Sequence, residues 1–416
     1  MSRTHETRID VAGLTVGMYV SRLDRPWLGT AFPLEGLSVR NEDEVKRLQS
    51  LCHYVFVDPL RGESPHPRYL QYVDPSPALV QRATGQDELA SLRKTTWVKT
   101  AEFDAELPQA QKAHGQLERG IEEVMVDLRN GGGIDLEKLR EGVSAMLDSI
   151  TRNPAAFIWL KAIKRTSDYA YQHALGCSVW AASFGRQLGM NRNELDELAL
   201  TGLLFDVGKT RLPESLLTRA DLYNENDRTI MRDHVQIGVD MLSSTEGLPK
   251  RVVTAVATHH ERHDGSGYPQ GLIGSEIPIF GRITGLIDCY DAMTSVQPHA
   301  GSLSPHQSVM QLYEARDTLF QSELVEQFIQ TCGIYPSGSL VELSDGRVGV
   351  VTAVHDLKRL RPSVMLLLDA GKSPLREFRS LDLSELHDQQ GDEAITIRRG
   401  LPQGAYGVDP AELFLD

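Results

Sequence analysis

The sequence predicts a multidomain chain in which a central all-α helical bundle is flanked by a small α+β N-terminal domain and a small β-rich C-terminal extension. Three observations carry this. The 416 residues exceed what one hydrophobic core organises, so two or three domains are expected. Residues 151–331 read as helix and loop throughout, with apolar side chains recurring at i, i+3 and i+4. On either side the texture changes to short alternating or β-rich runs punctuated by glycine, proline and aspartate.

In chain order, residues 8–20 and 36–39 alternate like strands, 42–51 have helical spacing, and 54–57 (YVFV) form a short β-rich run. Together they make a small domain over 8–60. Between them, residues 24–33 (DRPWLGTAFP) form a loop whose Trp27 and Phe32 belong to its core or its docking face. Residues 61–77 carry several prolines and open a linker over 61–100. A long helix over 102–130 is ended by Gly131–Gly133, and Asp135 caps a second one to about Ile150; these connecting helices occupy 101–150.

The bundle spans 151–332. Ser167 or Asp168 starts a helix through Leu188, and Asn191 caps another that reaches Phe205. A third runs over 225–243. Pro249 suits the first turn of a fourth, reaching His260; a fifth covers 281–294, and Ser304-Pro305 opens a sixth. In the extension, 333–416, residues 339–343 and 347–354 form a hairpin about the two-residue turn Asp345-Gly346, and 363–368 form a third strand.

Composition narrows the function. Apolar residues at 41% and charged ones at 24% describe a globular chain. No apolar run approaches the ~20 residues of a membrane helix, and residues 1–10 are too polar for a signal peptide. The four cysteines (Cys52, Cys177, Cys289, Cys332) are scattered without metal-like spacing and read as reduced thiols. A cytoplasmic location is therefore expected, with no membrane partner. A net charge of −14 argues against a nucleic-acid polymer, which needs a basic surface to release counterions. An anionic small ligand remains open if cations or metals gather locally.

The histidines supply that clue. Five of the 13 fall in the bundle before residue 264: His173, His234, His259, His260 and His263. One helical histidine alone is most often a satisfied core or surface residue. Adjacent His259 and His260 stand about 100° apart on a helix and converge only near its end, where Gly265 and Gly267 place them. Asp206 and Asp288 interrupt apolar runs, and a buried carboxylate is costly without a cation. Imidazoles and carboxylates in this proportion suit Fe, Mn, Ni or Zn. Two such metals sharing one carboxylate suit a phosphodiester and an acidified water. Lys209, three residues beyond Asp206, is within reach of a phosphate oxygen. The glycine- and proline-bearing loop after His260 suits a substrate lip.

These residues resemble the HD-GYP family, a branch of the HD metal-dependent phosphohydrolases that hydrolyses the bacterial second messenger cyclic di-GMP. HHERHDGSGYPQGL (259–272) is similar to the family's loop motif almost position for position. LLFDVGKTRLPESLL (203–217), HVQIG at His234 and GRITGLIDCYDAMTS (281–295) follow in the family's order. The likeness covers roughly 155–330. The N-terminal unit is similar to a small domain of unknown function often fused to HD-GYP domains, and YPSGSLVELSDGRVGVV (335–351) resembles an extension found in such fusions.

The resemblance implies an HD-type bundle and a cyclic di-GMP phosphodiesterase in which metal-bound hydroxide gives pGpG, GMP or both. One metal would take Asp206, His234, His259 and His260, and the other His173, Asp288 and the shared Asp206. Asp206 and Lys209 would be catalytic, and Lys209, Arg262, Asp264, Gly265, Gly267, Tyr268 and Pro269 would bind substrate. The chain departs from the pattern in places. Phe205 stands where the family has the histidine of its HD pair, so one ligand is missing. Tyr169 stands where some members have a glutamate. Gln297-Pro298-His299-Ala300 replaces Arg-Pro-Tyr-Lys, removing two cations from the phosphate site. Two readings follow: an enzyme with an open ligand position, or a degenerate signalling module whose loop docks partners such as diguanylate cyclase (GGDEF) domains.

Overall fold

The computed structural model describes residues 7–23, 37–59, 61–66, 69, 89, 91–92, 94–164, 168–218, 223–296, 301–354, 358, 360–390 and 394–408. Trp27, Phe32, Ser167 and the segment Gln297-Pro298-His299-Ala300 lie outside them. Packing divides the chain into two compact units, residues 1–80 and 81–416.

The first unit is a four-stranded antiparallel sheet, in the order β1–β4–β2–β3, with one helix. Its strands are β1 (Thr7–Asp10), β2 (Tyr19–Leu23), β3 (Leu37–Ser38) and β4 (Tyr54–Val57), and α1 spans Glu42–Leu51. The run expected to alternate through residue 20 is interrupted. Asp10 accepts from the Ala12 amide at 2.9 Å and starts a helical turn over Val11–Gly13, so the chain leaves the sheet after β1 and re-enters as β2 on the other side of β4, both strands antiparallel to β4. Asn41 caps α1 by accepting from Glu44 N at 2.9 Å, and Glu44 accepts in return from Arg40 N at 2.7 Å. Ile9, Val20, Leu48, Val55 and Val57 close a core of its own. Glu63 N donates to Gly17 O at 2.9 Å, so the start of the expected linker is packed on this sheet.

The second unit holds the helices and the extension. Lys94 and Thr95 donate to Gly189 O, and Trp97 Nε1 donates to Met190 O at 2.9 Å. The end of the expected linker is thus docked on the bundle. Two long helices, α2 (Phe103–Arg129) and α3 (Leu136–Arg152), form a hairpin, with Asp135 capping α3 as expected. Asn153 then caps α4 (Pro154–Ile163), with proline in its first turn. Next come α5 (Tyr169–Gln187) and α6 (Arg192–Leu204), which pack along each other; Asn191 and Glu194 close a capping box at the start of α6.

Where one helix was expected over 225–243 there are two, α7 (Glu225–Arg232) and α8 (His234–Ser243). The break has a local cause: the Met231 carbonyl, which a continuous helix would pair with the amide of Val235, instead accepts from His234 Nδ1 at 2.5 Å. The helix expected to reach His260 stops earlier, α9 being Lys250–Thr258. Further along are α10 (Ile279–Thr294), α11 (Pro305–Glu314) and α12 (Ser322–Cys332).

The extension is larger than the three strands expected. Strands β5 (Leu340–Leu343), β6 (Val348–Ala353), β7 (Ser363–Leu368), β8 (Pro374–Asp382) and β9 (Ile397–Gly400) form one sheet in the order β8–β7–β6–β5–β9, with α13 (Leu383–Gln390) after β8. The expected hairpin is present, but its turn has three residues, Ser344–Gly346, rather than two: Leu343 N donates to Arg347 O at 2.9 Å, and Gly346 takes φ +86° and donates to Leu343 O at 3.0 Å. Strand β8 was illegible because PLREFRSLD alternates charge with apolar residues too irregularly for a period of two. The fold class is the expected one: a central helical bundle with an α+β N-terminal domain and a small β-rich C-terminal part.

Candidate metal centre

Five helices of the second unit bring side chains to one place. Asp206 leaves the end of α6, His234 opens α8, His259 and His260 follow α9, and Asp288 and His173 look inward from α10 and α5. Two groups result: Asp206, His234, His259 and His260, then His173, Asp206 and Asp288, the ligand atoms of each lying within 4.8 Å of one another. The six expected metal ligands are therefore brought together, with Asp206 common to both sets.

The first group is ordered by its backbone. His234 Nδ1 faces Met231 O at 2.5 Å and His259 Nδ1 faces Val256 O at 2.7 Å. A carbonyl only accepts, so both Nδ1 atoms carry the proton and both Nε2 atoms present lone pairs. Those two lone pairs lie 3.4 Å apart, and Asp206 Oδ1 is 3.3 Å from one and 3.9 Å from the other. Oδ1 has no hydrogen-bond partner among the described residues. Three electron pairs converging with no proton between them fit a cation. His260 Nδ1 stands 4.0 Å from Asp288 Oδ2.

In the second group His173 lies between two carboxylates, its Nε2 3.0 Å from Asp288 Oδ1 and its Nδ1 2.9 Å from Asp291 Oδ2. Its Nε2 is 3.9 Å from Asp206 Oδ2. The Lys209 ammonium pairs with Asp206. Asp206 and Asp288 were expected to be buried, yet their side chains keep 14% and 13% exposure. At that exposure both carboxylates remain reachable by an incoming ligand.

Electrostatics follow from this crowding. Burial pushes the His259 pKa down to about 4 and, helped by the neighbouring His259 and His234, puts His260 well below its ordinary value. Both rings are neutral, as ligands must be. Burial alone would raise Asp206; Lys209 and the surrounding imidazoles instead hold it well below the carboxylate range. Burial likewise opposes a charged His173, but the carboxylates on its two nitrogens help hold its pKa well above the usual value.

Phe205 is fully buried, edge-on to His173 with ring centres 5.6 Å apart and to His259 at 5.0 Å. An apolar wall thus touches one imidazole of each group. Tyr169 stacks on His173 at 5.5 Å with the planes 9° apart.

The loop after His260 packs back against the cluster. Tyr268 stacks on His260 at 4.6 Å, and the exposed Arg232 guanidinium lies 4.8 Å from the Tyr268 ring centre. Gly265 adopts φ +82°, and a Cβ on Gly267 would collide with the backbone of His260 and Arg262. Tyr268–Pro269 is a cis peptide. Two expected substrate groups are engaged, wholly or in part, by the loop itself. Asp264 accepts from Ser266 N at 3.0 Å and Ser266 Oγ at 2.6 Å, fastening its own turn. Arg262 donates from Nη1 to the carbonyls of His259 and Glu261 and stands over Phe320 at 5.3 Å, leaving its other N–H groups for a ligand.

Three groups escaped the sequence reading. Glu261, buried beneath the loop, accepts from Gln270 N at 2.7 Å and Leu272 N at 3.0 Å. Asp291 binds His173, and Lys161 binds Asp291. Only Asp291 carried a signal: it lies three residues after Asp288 on the same helix face.

Comparison with known proteins agrees with this architecture. Residues 155–324 match the family model of an HD domain, residues 6–139 that of a domain of unknown function, and residues 340–396 that of a KOW domain associated with HD domains. A cyclic di-GMP phosphodiesterase of Pseudomonas aeruginosa is 27% identical over 97% of this chain and 92% of its own length. A cyclic di-GMP phosphodiesterase response regulator of Xanthomonas campestris is 32% identical over 38% of this chain and 44% of its own. A 3'3'-cGAMP-specific phosphodiesterase of Vibrio cholerae is 29% identical over 46% of this chain and 37% of its own.

Proposed function

We propose, from the premise that residues 155–324 of this chain are an HD domain with an HD-GYP-type loop, that it is a metal-dependent phosphodiesterase acting on cyclic di-GMP. One observation carries the reading: His234 Nε2, His259 Nε2 and Asp206 Oδ1 direct lone pairs at a common point, with His173 and Asp288 completing a second set about the same aspartate. The relatives named for cyclic di-GMP support the substrate.

Divalent cations, one or two of Fe, Mn, Ni or Zn, would be held by Asp206, His234, His259 and His260 and by His173, Asp206 and Asp288. They would supply charge for the phosphate and acidify water. The chain's own groups do the rest. Nδ1-to-carbonyl bonds fix the rings of His234 and His259 before any ligand arrives. Lys209 offers N–H groups to a phosphate oxygen beside Asp206. Tyr268, stacked on His260 with the Arg232 guanidinium against its ring, presents an aromatic group beside the cluster, with Arg262, Gly265, Gly267 and Pro269 shaping that side. Water adds to phosphorus as the 3'-oxygen leaves with a proton, giving pGpG and, after a second cleavage, GMP.

The test is direct. Purified protein supplied with Mn²⁺ or Fe²⁺ should release pGpG or GMP from cyclic di-GMP, and competition with 3'3'-cGAMP ranks the two cyclic dinucleotides. Absence of turnover with every divalent metal tried would defeat the reading. A second reading rests on Phe205, which walls both groups without ligating: a degenerate module whose loop engages GGDEF domains. It gains ground if the chain binds such a domain and turns over nothing.

A further inference from the structure

His173 is oriented differently from the other ligand rings. His234 and His259 hand their Nδ1 protons to backbone carbonyls of their own helices. His173 Nδ1 instead meets a side chain from another helix, Asp291 Oδ2 at 2.9 Å, and the other Asp291 oxygen lies 2.5 Å from the Nζ of Lys161 on α4. Asp291 is fully buried and Lys161 keeps only 15% exposure. A carboxylate in that position is costly without a cation beside it. Lys161 is that cation, and its pairing with Oδ1 leaves Oδ2 for the imidazole. Ser295 Oγ donates to the same Oδ2 at 3.3 Å, from the end of α10.

The surroundings are shaped around the pair. A Cβ on Gly176, one turn beyond His173, would lie 2.5 Å from Asp291 Oδ1 and 2.8 Å from Lys161 Cε. Any larger residue there would push the carboxylate away from the ring. The Lys161 ammonium also stands 5.8 Å from the centre of the Trp180 ring. Three helices therefore commit a lysine, a glycine and an aspartate to the angle of one imidazole.

We propose that Lys161 and Asp291 are positioning residues that set the His173 ring for one of two metal positions, the one shared by His173, Asp206 and Asp288. This rests on the reading of His173 as a metal ligand. Neither residue is recorded in contact with Asp206, His234, His259 or His260; there His234 and His259 are fixed by backbone carbonyls and His260 stacks on Tyr268. The relay therefore predicts an unequal effect, which loss of general stability would not produce.

The experiment counts Mn²⁺ bound to the full chain by the electron paramagnetic resonance signal of the free ion. Wild type should bind two equivalents. Lys161→Met and Asp291→Asn should each weaken one equivalent by about tenfold to a hundredfold, the range of outer-shell changes, and leave the other unchanged. If Lys161→Met fails to fold because it strands Asp291, the Lys161→Met/Asp291→Asn double variant leaves no uncompensated charge and carries the same test. Equal weakening of both equivalents, or no weakening, overturns the relay while the metal centre stands. A wild type that binds no Mn²⁺ removes the metal centre itself, and the relay with it.

Discussion

Phe205 is where a single residue decides most. Its ring is an edge-on neighbour of His173 and of His259, so a nitrogen-bearing side chain there would face both groups. Phe205→His should raise apparent Mn²⁺ affinity by about tenfold or more and raise turnover with it, since even outer-shell changes move affinity that far. Without metal the variant should be less stable by roughly 1–3 kcal/mol, because a polar ring replaces an apolar wall. Titration of both proteins with Mn²⁺ and denaturation with and without metal check this. Unchanged affinity would mean that position 205 does not border a metal. At this scale the sequence was most informative about residues whose chemistry is unusual in their setting: carboxylates in apolar runs and paired histidines before glycines. It was silent on Lys161 and Glu261, because a lysine on one helix and a glutamate beside a histidine look like solvated side chains until tertiary packing brings a partner.

Helices were legible through caps and periodicity, and their breaks were not. Asp135, Asp168 and Asn191 marked true starts, whereas the division at Asp233 depends on an imidazole competing for a carbonyl, which no spacing reveals. Burial at helix contacts has a measurable consequence on α2. His114 there is buried, its ring centre 5.9 Å from that of Phe157 on α4, with neither nitrogen hydrogen-bonded. Burial, with a smaller push from Lys164, lowers its pKa from 6.5 to about 4. Between those values the unfolded chain takes up a proton that the folded chain refuses. The stability this neutral ring permits is complete above about pH 6.5 and is lost as pH falls toward 4, by roughly 3 kcal/mol in all. His114→Leu should remove that part of the slope. Urea denaturation of both proteins at pH 7.5 and pH 5 measures it as a difference of differences, so that other buried histidines cancel. Parallel pH dependence in the two proteins would show that His114 is not the source.

The whole molecule divides unevenly for function. Every candidate ligand lies in residues 81–416, while residues 1–80 close a core of their own around Ile9, Leu48 and Val55. The KOW-type sheet, by contrast, belongs to the helical unit. Gly338 approaches Ala162 on α4 so closely that a side chain there would collide, His306 on α11 stacks on Tyr335 at 5.5 Å, and Leu340 and Leu401 line a cavity with Ile158, Trp180 and Tyr290. Truncation should therefore act asymmetrically. A chain of residues 81–416 should keep the Mn²⁺ stoichiometry and turnover of the full chain. A chain of residues 1–332 should lose both on mild warming, because it exposes the apolar backs of α4, α5 and α10, the helices that carry Lys161, His173 and Asp291. Exposing several such side chains costs about 1.5–3 kcal/mol for each one fully uncovered, a large share of the 5–15 kcal/mol that holds a domain folded. Thermal melts with metal counting on both truncations separate the outcomes. If residues 1–332 melt like the full chain and hold the same metal, the sheet is an appended module, and the back wall of the metal centre is built by the helices alone.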